Sequence, residues 1–261
     1  MLNKHSFHIV DLSPWPLISS FNIMNFLLTV IFWKMMIISI KMVLFCFFLI
    51  LLTLSLWWRD VMRESSYQGH HTYNVYNSMK LSMILFIISE MMFFTSFFWS
   101  YFHMSLSPEL DTGNNWPPTG VSLLNPYQTP LLNTVILLSS GASVTLTHYS
   151  ILNKKYKISL FFLSLTILLG MTFSFFQFLE YNWTEFSMSD SSFGSTFFMT
   201  TGFHGMHVMI GTAFLSINIY RLLINQLNNK HHFSFEASAW YWHFVDVIWI
   251  YLYIFMYWWW F

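Results

Sequence analysis

The chain has 261 residues, 56% hydrophobic and 8% charged, with zero net charge and a mean hydropathy of +0.52. A soluble domain carries about 25% charged residues, so this composition describes an integral membrane protein, and the zero balance offers nothing to a polyanion. The one cysteine, Cys46, lies in an apolar run and cannot build a disulfide or a thiolate metal site within the chain.

The apolar runs are long and unbroken rather than alternating, which predicts helices and not a barrel. The opening MLNKHSFHIVDLSPWPL is neither a signal peptide nor an Arg-rich transit peptide, and the expectation is synthesis close to the target membrane. Seven segments follow, at about 16–33, 42–58, 81–102, 131–152, 158–181, 195–223 and 237–258. Each is near the ~20 residues that cross a ~30 Å hydrocarbon layer. The prolines (Pro14, Pro16, Pro108, Pro117, Pro118, Pro126 and Pro130) fall outside these segments or at their starts, where a helix tolerates them. No internal repeat or low-complexity tract is present.

Basic residues predict the orientation. Counting flanks alternately, one side receives Lys4, Arg59, Arg63, Lys80, Lys154, Lys155, Lys157, Arg221 and Lys230, which is nine, and the other only Lys34 and Lys41. The loops at 104–130 and 182–192 carry Glu109, Asp111, Glu185 and Asp190 but no base. Nine against two places the N-terminus inside and, after seven spans, the C-terminus outside. Tyr257, Trp258, Trp259 and Trp260 read as an aromatic belt at the outer interface, with Trp240 and Trp242 at the inner one.

The third span has one acid in its middle. Between Lys80 and His103 lie 22 residues, and Glu90 is the only formal charge among them. Ionised carboxylate is costly in lipid, so Glu90 is expected to be protonated, to face protein, and to be proton-related or structural. In the fourth span Ser139, Ser140, Gly141, Ala142, Ser143, Thr145, Thr147 and His148 predict a central helix, because small and hydroxylated residues permit close approach. Gly202, Gly205 and Gly211 predict the same for the sixth span.

Histidine is abundant, with eleven residues, so metal binding has to be weighed. His204 and His207 share a helical face, as do His243 and Asp246. The HxxxH and HxxHH clusters of a membrane di-iron enzyme do not occur, and the expectation is no metal ligand set. His148, His204, His207, His243 and Asp246 are read instead as interhelical polar groups. Arg63, His71, Arg221 and His231 fall at the inner surface, where a basic set predicts anionic lipid headgroups. The last span lacks lysine, which excludes a retinal Schiff base there, and the inside N-terminus is opposite to the receptor arrangement.

Five stretches then carry a resemblance. WWRDVMRES (57–65) with QGHHT (68–72), FIISEMMFFTSFFWSYFH (86–103), WPPTGVSLLNPYQTPLLNTVILLSSG (116–141), STFFMTTGFHGMHVMIGT (195–212) and HHFSFEASAWYWHFVDVIWIYLYIFMYWW (231–259) resemble the cytochrome c oxidase subunit III family. The resemblance implies an all-α membrane protein of seven helices, with a two-helix N-terminal bundle (1–70) splayed from a five-helix bundle (71–261) and phospholipids in the cleft between them. It implies a multi-pass protein of the mitochondrial inner membrane, so that inside is the matrix. The implied partners are oxidase subunits I and II and further small subunits. Haem a and copper belong to those partners, and this chain is a non-catalytic subunit with no redox centre and no catalytic residue of its own. Glu90 matches the family's carbodiimide-reactive acid, with a role supporting proton uptake and the durability of the active site. Two other classes stay open on the residues alone: a self-sufficient metalloenzyme using His204, His207 and the inner histidine pairs, and a transporter with Glu90 as proton site.

Overall fold

The computed structural model describes residues 6–108, 110, 113–229 and 231–261. Lys4, Glu109, Asp111 and Lys230 lie outside the described residues. Seven helices occur in the order α1 (Trp15–Lys34), α2 (Ile40–Ser66), α3 (Tyr73–Leu106), α4 (Thr129–Leu152), α5 (Tyr156–Trp183), α6 (Ser192–Leu223) and α7 (Phe233–Leu252), the last continued by a π-helical turn, Tyr253–Trp258. No strand occurs among the described residues, and all seven helices are long and apolar enough to cross a membrane.

Several helices outrun their apolar segments. α3 has 34 residues and α6 has 32; at 1.5 Å per residue these are about 50 Å long, well beyond the ~30 Å hydrocarbon layer. Hydropathy reports only the lipid-crossing part. The polar opening turns of α3, Tyr73 to Lys80, form helix because nothing breaks them, and they add two turns that hydropathy does not register. Pro16 and Pro130 sit in the first turns of α1 and α4, where a missing N–H costs nothing.

The chain forms two compact units, Met1–Met79 and Lys80–Phe261, dividing within α3. The division expected from sequence lies at 70/71. In the first unit α1 and α2 pack together, burying Ser19, Val43 and Thr53. Most other side chains of this pair point outward and are apolar. Polar ties gather near the start of α1 and the end of α2. The Trp15 indole donates to Asp60 at 2.7 Å, and the His8 ring lies 3.1 Å from Glu64.

In the second unit α4 packs on α5 and α7, while α6 packs on α5 and α7. Lipid is as apolar as leucine, so burial of apolar surface does not drive these contacts; dispersion and hydrogen bonds between closely approaching backbones do. Ser140, Gly141, Ser143, Thr147 and Ser150 form the buried stripe of α4, whereas Ser139, Ala142 and Thr145 face outward. The buried hydroxyls donate to carbonyls three or four residues back, as in Ser140 to Leu137 at 2.6 Å and Thr147 to Ser143 at 2.9 Å. Such bonds let polar side chains sit in a dry interior without an external partner.

Trp242 is the centrepiece of this unit and corrects the sequence reading. It is fully buried rather than at the inner interface. Its indole N–H donates to Ser140 on α4 at 2.9 Å, and its ring lies against Gly170 of α5 and Gly211 of α6. A Cβ at Gly211 would come within 2.8 Å of that ring. Gly202 and Gly205, expected to serve the same purpose, have nothing among the described residues within 4 Å of where a Cβ would stand, so of the three only Gly211 supports close packing among those residues.

Candidate functional site: a buried acid–imidazole pair

Glu90 on α3 and His207 on α6 meet, with Oε2 2.9 Å from Nε2. Both belong to the second unit. The side chains are 24% and 10% exposed, and Phe93 and Phe94 of α3, with Tyr241 of α7, surround the imidazole. The Phe94 ring stands edge-on to it with centroids 5.0 Å apart. Glu90 and His207 are 117 residues apart in sequence, and the three-helix convergence of α3, α6 and α7 brings them together.

The second ring nitrogen decides how the pair holds its proton. His207 Nδ1 lies 2.7 Å from the Phe203 carbonyl, which can only accept, so Nδ1 carries a hydrogen. Nε2 is then either a lone pair accepting the carboxylic O–H of Glu90, or an N–H donating to its carboxylate. In both cases one proton lies between the two atoms and the pair has no net charge. A neutral pair is the cheap way to keep an acid in a membrane interior.

The other candidate polar groups fall into different surroundings. His204, one turn before His207, is fully buried against the rings of Phe173 and Trp249. Neither of its nitrogens has a hydrogen-bond partner among the described residues. Its contacts are aromatic rather than polar. His243 Nδ1 lies 4.0 Å from Asp246 Oδ2, a pairing within α7 rather than between helices. Asp246 is buried against Gly141 of α4, where a Cβ would stand 2.6 Å from its Oδ2.

Of the four groups expected at lipid headgroups, Arg63 and His71 belong to the first unit, and Arg221 and His231 to the second. Arg63 is in the last turn of α2, mostly exposed, 3.9 Å from Asp60. Arg221 is in the last turn of α6, where its Nε donates to Gln226 at 3.4 Å. His231 follows in the loop before α7, and burial, reinforced by the Arg221 guanidinium, holds its pKa below the ordinary imidazole value.

Two arrangements were not legible in the sequence. Glu180 is fully buried, accepting from Tyr257 of the π-helical turn at 2.5 Å and from Thr129 of α4 at 3.4 Å. An acid one turn from a helix end ordinarily reaches water, so its place on α5 gives no sign of this burial. His148 of α4 meets His232 and Glu236 at the start of α7, with the three ligating atoms within 4.8 Å of one another. Here the local signal was the spacing of His232 and Glu236, one helical turn apart, but His148 stands 84 residues away.

The family profile described as Cytochrome c oxidase subunit III matches residues 5–261. "Cytochrome c oxidase subunit 3" of Rhipicephalus sanguineus is 50% identical over 237 residues, covering 91% of this chain and 92% of that protein. The Drosophila melanogaster protein of the same name is 49% identical over 239 residues, covering 92% and 91%, and the Chondrus crispus one 46% over 241 residues, covering 92% and 89%. With a match along nearly its whole length and relatives at this identity from an arthropod and a red alga alike, the chain belongs to the cytochrome c oxidase subunit III family.

Proposed function

We infer that this chain is a membrane-embedded subunit of cytochrome c oxidase that contributes no haem or copper. It stabilises the catalytic core, organises phospholipid and supports proton uptake in the mitochondrial inner membrane. The observation that carries the oxidase assignment is the family match over residues 5–261. The enzyme's electron transfer from cytochrome c to oxygen then belongs to the partner subunits, I and II among them.

Support for a role in proton handling comes from the Glu90–His207 pair, which holds one proton in apolar surroundings. The 2.9 Å hydrogen bond keeps an acid and an imidazole, both able to bind a proton, in direct contact between α3 and α6. Support for the lipid role comes from the basic end of α2, where Arg63 is mostly exposed and His71 follows in the next loop; Arg221, in the last turn of α6, is buried and His231 is half-buried in the loop after it. Cations at the membrane surface attract anionic headgroups, each by about 1 kcal/mol.

Removal of this chain from the purified complex tests the reading. The depleted oxidase is expected to keep its full haem and copper content and its initial turnover, while its activity decays faster and proton uptake slows. Haem or copper leaving with the chain, or an unchanged activity lifetime, would refute the assignment of an accessory role.

A further inference from the structure

We propose that His148, His232 and Glu236 form a binding site for a non-redox divalent metal ion, zinc by its ligand chemistry, joining α4 to the first turn of α7. The proposal goes beyond the oxidase reading and involves no electron carrier.

Hydrogen-bond logic supports it. His232 Nδ1 lies 3.0 Å from the Asn228 carbonyl and must donate to it, so in the neutral ring Nε2 carries a lone pair. That lone pair faces two neighbours at once, His148 Nε2 at 3.2 Å and Glu236 Oε1 at 3.1 Å. A carboxylate oxygen and an imidazole lone pair at this distance repel unless a proton or a metal cation lies between them, and a metal cation would engage His148 as well. A backbone carbonyl that fixes the far nitrogen of a ligating histidine is the usual outer support of a metal site.

The spacing also fits. Zinc bonds nitrogen and oxygen at about 2.0–2.2 Å in tetrahedral geometry, so ligand atoms on one ion stand about 3.3 Å apart. Two of the three separations, 3.2 and 3.1 Å, are close to that edge, and all three ligand atoms lie within 4.8 Å of one another. Two imidazoles and a carboxylate are a borderline-soft set that favours zinc over calcium or magnesium. Lys80 Nζ, 3.4 Å from Glu236 Oε2, engages the other carboxylate oxygen and leaves Oε1 as a single ligand.

Three protein ligands leave one position of a tetrahedron open. Two of the three ligands, His148 and Glu236, line a cavity of about 200 Å³ together with Trp240 and His243. His148 and Glu236 lie in the last turns of α4 and the first turn of α7, at the end of the unit that also carries Lys154 and Lys155. The ion would tie the C-terminal half of α4 to the N-terminus of α7, two elements whose other contacts are apolar or single hydrogen bonds.

Diffraction from the intact oxidase complex tests this. The complex is stripped with a chelator and equilibrated with micromolar zinc chloride, and data are collected above and below the zinc absorption edge. An anomalous peak within bonding distance of His148 Nε2, His232 Nε2 and Glu236 Oε1 is expected. Absence of a peak there, or a peak only at millimolar zinc, would overturn the proposal and leave a protonated His232 as what joins the three groups. His148→Gln is expected to lower zinc affinity at this position by on the order of 100-fold, since loss of an outer partner alone costs about 10- to 100-fold. His243→Gln, which lines the same cavity but is not a ligand, should leave affinity unchanged. Equal affinity in His148→Gln and the parent complex would also refute the site, and if that variant fails to assemble the anomalous map of the parent decides alone.

Discussion

At the scale of single residues, the Glu90–His207 pair makes the clearest demands. A carboxyl that keeps a proton in apolar surroundings reacts with a hydrophobic carbodiimide, whereas an exposed ionised acid does not. Labelling of the complex followed by peptide mapping is expected to mark Glu90 in preference to Glu185. Glu90→Gln abolishes the label yet leaves assembly intact, because an amide N–H can still donate to His207 Nε2. His207→Leu leaves the part-buried carboxyl without its partner and is expected to lower stability by about 1 kcal/mol, the low end of the cost of an unsatisfied buried polar group. Its melting temperature, compared with that of Glu90→Gln, checks the ordering. If the glutamine variant is the less stable of the two, the pair is a true ion pair rather than a shared proton.

At the scale of helices, contact in this bundle depends on where a Cβ is missing. Gly211→Ala drives a methyl to within 2.8 Å of the Trp242 ring, which is itself fixed by Gly170 and by the bond to Ser140. Overpacking of that kind costs about 1–3 kcal/mol. Gly205→Ala meets no atom of the described residues within 4 Å and gains up to about 1 kcal/mol from helix propensity. Thermal denaturation of the two variants should therefore move in opposite directions. The π-helical turn after α7 gives a second case at this scale. There Tyr257 supplies the short hydrogen bond to buried Glu180, with Thr129 a longer second partner at 3.4 Å. Tyr257→Phe is expected to destabilise by about 1–3 kcal/mol. A melting temperature equal to the parent's would show that Thr129 alone satisfies the acid.

At the scale of the whole molecule, charge and apolar surface set its relation to the membrane. Lys154 and Lys155 lie in the turn between α4 and α5 and Lys157 in the first turn of α5, and the excess of bases on that side predicts that it is the inside face. In sealed inner-membrane vesicles turned inside out, a membrane-impermeant amine reagent is expected to reach these lysines. In right-side-out preparations it should not, and the reverse result would invert the orientation. The outward faces of α1 and α2 are almost wholly apolar, with only Ser19, Val43 and Thr53 buried between the two helices. Such faces suit lipid and partner subunits, not water.

The sequence by itself determined the seven helices, the family and the rarity of Glu90, because hydropathy, motif order and an isolated charge are properties of a chain read along its length. Which face of each helix turns inward was decided by tertiary structure alone. In water an amphipathic stripe announces the buried face, but in lipid the inner and outer faces are both apolar, so Trp242 reads like an interfacial tryptophan until Gly170 and Gly211 are seen to hold it. For the same reason the partners of Glu90, Glu180 and His148 could not be named from the chain. Each is set by a contact across 51 to 117 residues that leaves no periodic trace.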